Sequence, residues 1–317
     1  MRVGLDMGGT KTDAVVVDPA GAIVGRVRLA TGWGGDQIVR TAVAAVRAVA
    51  TDAGIGLDDI VSVGIGIPGQ IEPGTGRVTH AVNLGVDELD LADAVAPALG
   101  IPVRVENDVK AAALGAYVLR GSAHGFHPRH GSMAYLNLGT GVAAGIVVDG
   151  ELWRGARGTA GEVGHISVDP NGPECRCGQH GCIEALSGGG AVAARWGRPG
   201  ALPVADVFAA AAAGDPHARE LRAGVARGVA AAVRVLVLTA DVELVVLGGG
   251  LTGLGAALTG DVAAELAASA EASPFMRSLQ LEDRVEVLPA GSPAAALGAA
   301  LIGAARDPEP EEVLAHG

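Results

Sequence analysis

The sequence predicts an α/β protein of two domains. Its 317 residues are enough for two medium-sized domains, and 49% of them are hydrophobic, so each domain can bury a core. A strand-like run, a glycine turn, a second strand-like run and an aspartate follow one another near the N terminus. The same order of elements returns after residue 131 as a weak internal repeat, which predicts paired domains.

The elements of the first half follow from turn residues and hydrophobic periodicity. Two β-rich runs flank the turn Gly8-Gly9-Thr10, which predicts a hairpin, and apolar residues at helical spacing predict the first helix. A Gly- and Pro-rich loop is expected after the buried strand that ends before Pro68, as far as Gly76. The predicted strands lie within 3–18 and at 21–29, 60–67 and 101–105, and the predicted helices at 36–53 and about 109–119.

The second half begins at the stretch 120–131, whose Gly, His, Ser and Pro residues predict a domain junction. Its histidines at 124, 127 and 130 are expected on an exposed loop. The predicted strands are 132–138, 143–148, 242–247 and 285–288, and the predicted helices are 204–213, 216–240, one after Gly250, and 294–305, before an acidic tail from Asp307. The predicted domains are 1–118, joined by the C-terminal helix at about 296–317, and 119–295, with a metal-bearing insert at 155–190.

The charge of the chain disfavours several partners. Asp and Glu number 35 against 23 Lys and Arg, which gives a net charge of −12, and no Lys/Arg-rich run occurs. Nucleic acid and anionic membranes are therefore not expected as partners. No signal peptide is expected at the N terminus, and Arg234, Asp241 and Glu243 interrupt the longest apolar stretches. These features predict a cytoplasmic protein without a transmembrane span.

Three glycine motifs follow strand-like runs and are candidates for nucleotide binding. Glycine lets backbone N–H groups approach phosphate oxygens without a Cβ in the way, and threonine adds a hydroxyl donor. An ordinary hairpin or tight turn would explain each motif alone. A nucleoside triphosphate held between paired domains is the simplest reason for a hairpin motif in each half. The candidate residues are Asp6, Gly8, Gly9, Thr10, Lys11, Gly139, Thr140, Gly141, Gly248, Gly249 and Gly250.

Two parts of these motifs have more specific interpretations. Asp6 ends a strand, where its carboxylate could hold Mg²⁺ through water. Gly248-Gly249-Gly250 follows a buried strand and allows a flat group such as adenine or ribose to approach the backbone closely. The spacings match neither a P-loop nor a Rossmann fingerprint, and no helix follows the first turn directly.

Glu106-Asn107-Asp108 ends a predicted strand and contains a candidate catalytic base. Asp108 could accept a hydroxyl proton as that hydroxyl attacks a γ-phosphate, and Asn107 could orient the substrate that carries the hydroxyl, such as a sugar. The alternative is that Asn107 or Asp108 caps the helix that follows. One residue could serve both purposes.

The three cysteines fall within eight residues, which indicates a metal site. Cys175, Cys177 and Cys182 together with His165 would make a closed tetrahedral Zn²⁺ site of structural type. His180 is an alternative fourth ligand, and a reduced thiol cluster without metal is the alternative to zinc. Glu162 and Glu184 lie in the same segment and suit hydrogen bonds to vicinal sugar hydroxyls, unless they are solvated surface acids.

Over essentially the whole chain, these motifs resemble the ROK family (repressors, open reading frames and kinases), most closely its bacterial glucokinases. Asp6 to Thr10 looks like the family's first phosphate motif, Asn137 to Gly141 like the second, and the glycine triplet like the adenosine motif. The segment from Gly161 to Glu184, with its cysteines, is the most specific part of the resemblance. The family's repressors carry an N-terminal DNA-binding domain, and because Asp6 already belongs to the phosphate motif, no such domain is expected here.

The resemblance implies a two-domain actin/hexokinase-like (ribonuclease H-like) fold with the active site in an interdomain cleft. It implies ATP and Mg²⁺ as cofactors, Asp108 as the catalytic base, and structural Zn²⁺ on His165, Cys175, Cys177 and Cys182. His165 would then bind zinc through one ring nitrogen and face the sugar with the other. The implied sugar contacts are Asn83, Asn107, Asp108, Glu162, His165 and Glu184. A homodimer or homotetramer is expected.

The leading functional hypothesis is ATP-dependent phosphorylation of glucose to glucose 6-phosphate. Mannose, N-acetylglucosamine, N-acetylmannosamine, fructose and allose are alternative acceptors, because few contacts read one hydroxyl or acetamido group. Polyphosphate is an alternative donor. Two hypotheses of a different class are a non-catalytic sugar-binding regulator and a chaperone-type ATPase. Both phosphate motifs and Asp108 argue against the regulator, and the cysteine segment with its carboxylates argues against the ATPase.

Overall fold

The computed structural model describes residues 1–72, 74–124 and 131–304, which form two compact units. The first unit is Met1–Gly115 with Ala295–Gly317, described as far as residue 304, and the second is Ala116–Ala294. From the sequence, the boundaries are expected at 118 and about 296. The stretch from residue 120, expected to be an exposed loop, is helical as far as His124, so that part of the expectation is wrong. The histidines at 127 and 130 and the acidic tail from Asp307 lie outside the described residues.

The described residues of the first unit contain eight strands, five of which form its main sheet. Its strands are β1 (Arg2–Met7), β2 (Lys11–Val17), β3 (Ile23–Ala30), β4 (Ser62–Ile67), β5 (Gln70–Ile71), β6 (Arg77–Ala81), β7 (Val86–Asp90) and β8 (Val103–Asn107). The main sheet has the order β3-β2-β1-β4-β8, with antiparallel pairs among the first three strands and parallel pairs from β1 to β8. Strands β5, β6 and β7 form a small second sheet.

Helices of the first unit pack on this sheet through small apolar residues. They are α1 (Gly35–Asp52), α2 (Leu91–Leu99), the start of α3 (Asp108–His124), and α10 (Ala294–Ala304) at the C-terminal end of the described chain. A Cβ added at Gly4 or Gly64 would overlap backbone atoms of α10, so glycine allows this helix to approach the sheet closely. The buried core of this unit is mainly Val, Ile, Leu and Ala.

The second unit repeats the arrangement of the first. Its strands are β9 (Ser132–Leu138), β10 (Val142–Val148), β11 (Glu151–Leu152), β12 (Leu244–Gly248) and β13 (Val285–Val287). They form a sheet of order β11-β10-β9-β12-β13, again antiparallel up to β9 and parallel from β9 to β13. The weak internal repeat in the sequence therefore corresponds to one sheet topology used twice.

The helices of the second unit include the long helix α7, on which most of the others pack. They are α4 (Ile183–Ser187), α5 (Gly189–Trp196), α6 (Pro203–Ala212), α7 (Pro216–Ala240), α8 (Ala256–Ala272) and α9 (Pro274–Ser278). Asp215 caps α7 by accepting a hydrogen bond from the Ala218 N–H, and Pro216 occupies its first position. Among the described residues, α7 alone is long and apolar enough to cross a membrane; 61% of its most apolar window is buried in the fold, as in a core helix.

Two features of the first unit differ from the sequence-based prediction. The segment after Pro68, expected to be a loop as far as residue 76, contributes to the β5-β6-β7 sheet, which carries Asn83 between β6 and β7. Helix α2 contains Pro97, a residue that normally argues against a helix interior. The strands here are short, so hydrophobic alternation has too few residues to be recognised.

Candidate active site

The first glycine turn joins β1 to β2. The Gly8 N–H donates to the Lys11 carbonyl over 2.9 Å, which closes the turn. A Cβ added at Gly9 would lie 3.3 Å from the Asn83 carbonyl oxygen, so Asn83 lies directly against this turn. Thr10 and Lys11 are exposed. The glycine backbone of this turn and the candidate sugar residue Asn83 are therefore neighbours in the first unit.

Three buried threonines fix this turn from behind. The Thr12 and Thr31 hydroxyls lie 2.9 Å apart, and the Thr41 hydroxyl donates to the Thr31 carbonyl over 2.8 Å. The Thr31 N–H in turn donates to the Thr10 carbonyl over 3.2 Å. This chain of hydrogen bonds connects the turn to α1 and limits its movement. The sequence alone does not reveal these threonines, since buried hydroxyls give no periodic signal.

Asp6 and Asp108 are electrostatically coupled in the first unit. Asp6 ends β1, and Asp108 is the first residue of α3, immediately after β8. Burial raises the pKa of Asp6 to about 7, and the negative charges of Asp108 and Asp13 add to this rise, against the opposing charge of Arg28. Two neighbouring carboxylates that resist ionising together favour a bound cation or a shared proton.

Gly66 lies between the strand that ends near Asp6 and the strand that leads into Asp108. It lies in β4, in register with Asp6 on one side and with Glu106 on the other. A Cβ added at Gly66 would lie 3.5 Å from the Asp108 Cα and 3.1 Å from the Ala111 Cβ. A side chain there would push α3 away from the sheet.

The helix cap at the start of α3 is formed mainly by Asn107. Its Oδ1 accepts hydrogen bonds from the N–H groups of Val109 at 3.0 Å and Lys110 at 3.2 Å. Its Nδ2 donates to the Gly69 carbonyl over 3.1 Å. The Asp108 carboxylate also accepts from the Val109 N–H, at 2.9 Å. Asn107 is therefore the main cap of α3, and its three side-chain hydrogen bonds, to Gly69, Val109 and Lys110, fix the orientation of its amide.

The second glycine turn, Gly139-Thr140-Gly141, joins β9 to β10 in the second unit. Its carbonyls accept hydrogen bonds from the start of α5: Gly189 N–H to Gly139 at 2.9 Å, and Gly190 N–H to Thr140 at 2.9 Å. A Cβ added at Gly189 would lie 2.9 Å from the Gly139 oxygen. The run 188–190 thus supports the turn, a role that sequence reasoning missed although three consecutive glycines mark the position.

The third glycine motif lies beside the second turn. Gly248 pairs with Asn137 across β12 and β9. Gly249 has a φ of 87°, and a Cβ added there would lie 2.7 Å from the Asn137 Oδ1. A Cβ added at Gly139 would lie 3.2 Å from the same side chain, at its Nδ2. Asn137 therefore connects both glycine motifs of the second unit.

Glu184 connects the cysteine segment to the second glycine turn. It is only 8% exposed, and its Oε2 accepts a hydrogen bond from the Val142 N–H at 2.9 Å. Its Oε1 lies 3.4 Å from the Arg176 guanidinium. The interpretation of Glu184 as a solvated surface acid is wrong, because the carboxylate is buried on β10. Glu162, by contrast, is exposed.

Cys175, Cys177, Cys182 and His165 form a cluster that fits a metal ion. One ligand atom from each lies within 4.8 Å of all the others. The Sγ atoms of Cys177 and Cys182 are 3.7 Å apart, and Cys175 Sγ lies 3.9 Å from His165 Nδ1. Tetrahedral zinc with Zn–S bonds of about 2.3 Å would separate two sulfurs by about 3.8 Å, so the donor set and its size both fit zinc.

The surroundings of the cluster favour this ligand set over the one with His180. The His180 ring contacts the Gly172 carbonyl through Nδ1 at 3.3 Å and is not in the cluster. Gln179 donates to Cys177 Sγ over 3.4 Å. This bond, a backbone hydrogen bond from Gln179 and the neighbouring thiols together lower the pKa of Cys177 to about 6. Burial raises the pKa of Cys182 to about 12, so its thiolate needs a cation for stabilisation. Gln179 is a supporting residue that the sequence did not reveal.

A cavity of about 290 Å³ in the second unit contains none of the predicted site residues. Tyr117, Arg120 and Glu286 line it, together with Ser132 and Leu244. Ser132 and Leu244 begin β9 and β12, whereas the glycine motifs follow the opposite ends of these strands. The cavity therefore lies at the other edge of the sheet from the glycine motifs.

The chain is similar over most of its length to sugar kinases of known structure. The chain is 30% identical to a ROK family glucokinase from Streptomyces griseus, solved in complex with glucose and AMPPNP, with a TM-score of 0.73 over 96% of this chain and 99% of the other. The fold is thus that of the actin/hexokinase-like sugar kinases. The ROK family matches residues 2–305, and the chain belongs to this family.

Two curated relatives differ in the sugar that they are named for. A glucokinase from Halalkalibacterium halodurans is 33% identical over 272 residues, which are 80% of this chain and 81% of the relative. An N-acetylmannosamine kinase from Yersinia pseudotuberculosis is 32% identical over 251 residues, 78% and 82% of the two chains. Both similarities support a ROK sugar kinase and leave the acceptor sugar open.

Proposed function

We propose that this protein transfers the γ-phosphoryl group of ATP to the 6-hydroxyl of glucose. The observation that carries the proposal is the coupled pair Asp6 and Asp108, next to a glycine turn that suits phosphate oxygens. The similarity to glucokinases in sequence and structure supports glucose as the acceptor. A cytoplasmic location and a homodimeric or homotetrameric assembly accompany the proposal.

Asp108 is the proposed catalytic base. As the sugar O6 attacks the γ-phosphorus, its proton passes to the Asp108 carboxylate, the bond from the γ-phosphorus to the β,γ-bridging oxygen breaks, and ADP leaves. The cap formed by Asn107 holds the first turn of α3 and thereby fixes the backbone that carries Asp108. The remaining hydrogen of the Asn107 amide is assigned to a sugar oxygen.

The glycine motifs are the proposed ATP site. The turn formed by Gly8, Gly9 and Thr10, with Lys11, and the turn formed by Gly139, Thr140 and Gly141 are assigned to the phosphates. The triplet from Gly248 is assigned to the adenosine. Asp6 is assigned to Mg²⁺, through water, and Mg²⁺ would supply charge neutralisation for the phosphates. A cation beside Asp6 would also favour its ionised form.

Sugar recognition is assigned to residues of both units. Asn83, Asn107 and Asp108 belong to the first unit, and Glu162, His165 and Glu184 to the second. Because Oε2 of Glu184 already binds the Val142 N–H, we assign only its Oε1 to a sugar hydroxyl. The contact of Oε1 with the exposed Arg176 is long, at 3.4 Å, so a sugar hydroxyl can replace it.

The cysteine cluster is the proposed structural zinc site. His165 faces Cys175 with Nδ1, which assigns Nδ1 to zinc and Nε2 to the sugar. Three thiolates and one imidazole complete a tetrahedral site and leave no position for catalysis. We assign the zinc to holding the loop that carries Glu162 and leads into Glu184.

N-acetylmannosamine is the second candidate acceptor. The 32% identity with an N-acetylmannosamine kinase favours it over mannose, N-acetylglucosamine and fructose. Glucose and N-acetylmannosamine differ at C2, so a contact at that carbon decides between them. ATP is the proposed donor for either sugar.

Replacing Asp108 tests the proposed mechanism. We expect Asp108→Asn to lower kcat by about 10²-fold or more while sugar affinity changes little, because the base contributes to the transition state. Sugar binding by calorimetry and ADP release would be measured on the same preparation. Asp93→Asn is the matched control, since Asp93 lies exposed in the first turn of α2. A kcat within about tenfold of wild type would remove Asp108 from this role.

A further inference from the structure

Trp33 is an exposed aromatic residue that the proposed reaction has not used. Its side chain is 68% exposed, whereas Trp196 is buried at 6% and Trp153 is 48% exposed. Single exposed hydrophobic side chains are common on protein surfaces, so the exposure of Trp33 gains meaning only from where the ring is held and what lies beside it.

The indole of Trp33 is held in a defined position. Its flanking residues Gly32 and Gly34 have φ angles of 82° and 87°, conformations that favour glycine. The Gly34 N–H donates to the Leu84 carbonyl over 2.8 Å. A Cβ added at Gly85 would overlap ring atoms Cε2 and Nε1 of Trp33, so the ring rests on the backbone of Gly85.

These contacts put Trp33 beside a candidate sugar residue. The turn that carries the Leu84 carbonyl and Gly85 also carries Asn83. Asn83 in turn lies against Gly9 of the first phosphate turn. The exposed ring, the Asn83 amide and the glycine turn therefore belong to one group of loops within the first unit.

An aromatic ring with a neighbouring amide suits a pyranose. One face of a hexose presents C–H groups, which the negative face of an indole attracts, while amides bind the hydroxyls at the edge. Small-molecule sites combine apolar and aromatic surface with a few polar groups in this way. A second protein chain would need a larger apolar surface, and only Trp33 and Val82 are large exposed hydrophobics among the described residues of these two loops.

We propose that Trp33 forms an apolar wall against the acceptor sugar and helps to determine which hexose is phosphorylated. This inference rests on the proposed sugar kinase function and adds a specificity residue to it. Trp33 contacts the non-reacting part of the sugar, so it acts on binding and discrimination and leaves the chemical step to Asp108.

Kinetics of Trp33→Ala test the inference. We expect the KM for the preferred sugar to rise about tenfold or more, with kcat within about threefold, and the ratio of kcat/KM between glucose and N-acetylmannosamine to change. Trp33→Phe should recover most of the affinity because it keeps a ring. Trp153→Ala is the matched control, since it also removes an exposed tryptophan, and it should leave both sugars unaffected.

Fluorescence reads the same contact without catalysis. Addition of sugar alone should change the tryptophan emission of the wild type and of Trp153→Phe, and this change should disappear in Trp33→Phe. Unchanged KM values and sugar preference in Trp33→Ala would overturn the inference, as would a sugar-induced signal that survives in Trp33→Phe. Loss of self-association with unchanged KM would also overturn it and make Trp33 an interface residue.

The two proposals fail in different ways. Absence of sugar-dependent ADP release from the wild type contradicts the kinase function, while the fluorescence titration still reports whether Trp33 contacts sugar. An active wild type with an unaffected Trp33→Ala contradicts the role of Trp33 alone.

Discussion

Asp6 is a carboxylate whose environment opposes its charge. Its pKa is raised to about 7, first because the half-buried carboxylate is desolvated and second because Asp108 and Asp13 are negative charges nearby. A carboxylate that is costly to ionise in the folded protein is expected where its negative charge is used in function. In a kinase, phosphate-bound Mg²⁺ supplies the cation that such a carboxylate can bind. Asp6 is therefore expected to lower the stability of the folded protein without ligand and to function in the complex with Mg-ATP.

The pH dependence of stability tests this interpretation of Asp6. The pKa is about 7 in the folded protein against an ordinary value of 3.8, so the folded state binds the proton more tightly. Protonated Asp6 therefore stabilises the folded state. Its contribution to the free energy of unfolding is fully present below about pH 4 and is lost as pH rises through about 7. A pKa difference of about 3 corresponds to about 4 kcal/mol. Asp6→Asn should remove this loss and stabilise the apo protein at pH 8.

Urea unfolding at about pH 4.5, 6 and 8, without Mg²⁺ or nucleotide, measures the effect. Asp58→Asn is the control, because Asp58 is an exposed aspartate of the same unit. An Asp6→Asn profile that follows the wild type at every pH would contradict the assignment. ADP release should meanwhile fall in Asp6→Asn, since Mg-ATP loses its carboxylate.

The sequence predicts which residues at strand ends and in the cysteine loop are candidates for a role, but it does not predict which candidate takes which role. Asn107 and Asp108 are both predicted as site or cap, and only the hydrogen bonds from Val109 and Lys110 show that Asn107 forms most of the cap. His165 and His180 are likewise both candidate ligands. Their distances from the cysteines depend on how the loop folds, which local sequence does not encode.

At the scale of elements, glycine turns are supported by partners far away in sequence. Gly139-Thr140-Gly141 is predicted from its own residues. Its support from the start of α5 comes about fifty residues later, through hydrogen bonds from Gly189 and Gly190. A run of glycines indicates a turn or a close approach, but the element that approaches it is fixed only by the tertiary fold.

The cysteine loop contains two glycines with the same kind of backbone conformation but with different amounts of space around them. Gly178 and Gly181 both have positive φ, at 89° and 63°. A Cβ at Gly178 would meet nothing within 4 Å, whereas a Cβ at Gly181 would overlap the Asp169 carbonyl. Gly178→Ala should therefore cost about 1 kcal/mol of stability, and Gly181→Ala about 3 kcal/mol or more.

Zinc content and thermal unfolding of both variants test the role of the loop. We expect Gly178→Ala to retain about one zinc per chain, and Gly181→Ala to lose zinc and sugar affinity together, because the loop leads into Cys182 and Glu184. Equal losses in the two variants would contradict this role of the loop. Elemental analysis well below one zinc per chain in metal-replete wild type would contradict the zinc assignment itself.

At the scale of the whole molecule, two sheets of the same topology account for the repeat in the sequence. Strand, glycine turn and strand recur because β1-β2 and β9-β10 are equivalent hairpins. This pattern, with the apolar runs of β4 and β12, makes the α/β class predictable. The β5-β6-β7 sheet is not predictable, since its strands are short and half exposed and His80, with a φ of 57°, interrupts the pairing of β6 and β7.

The most direct test of the proposed function is ADP release by the purified, zinc-loaded protein with Mg-ATP. Glucose, mannose, fructose, N-acetylglucosamine and N-acetylmannosamine would be compared, with polyphosphate as a second donor. We expect ADP release that depends on glucose, with one sugar 6-phosphate formed for each ADP. Release that depends on N-acetylmannosamine would keep the mechanism and change the acceptor. No sugar-dependent ADP release with any of these sugars would contradict the assignment of this protein as an ATP-dependent sugar kinase.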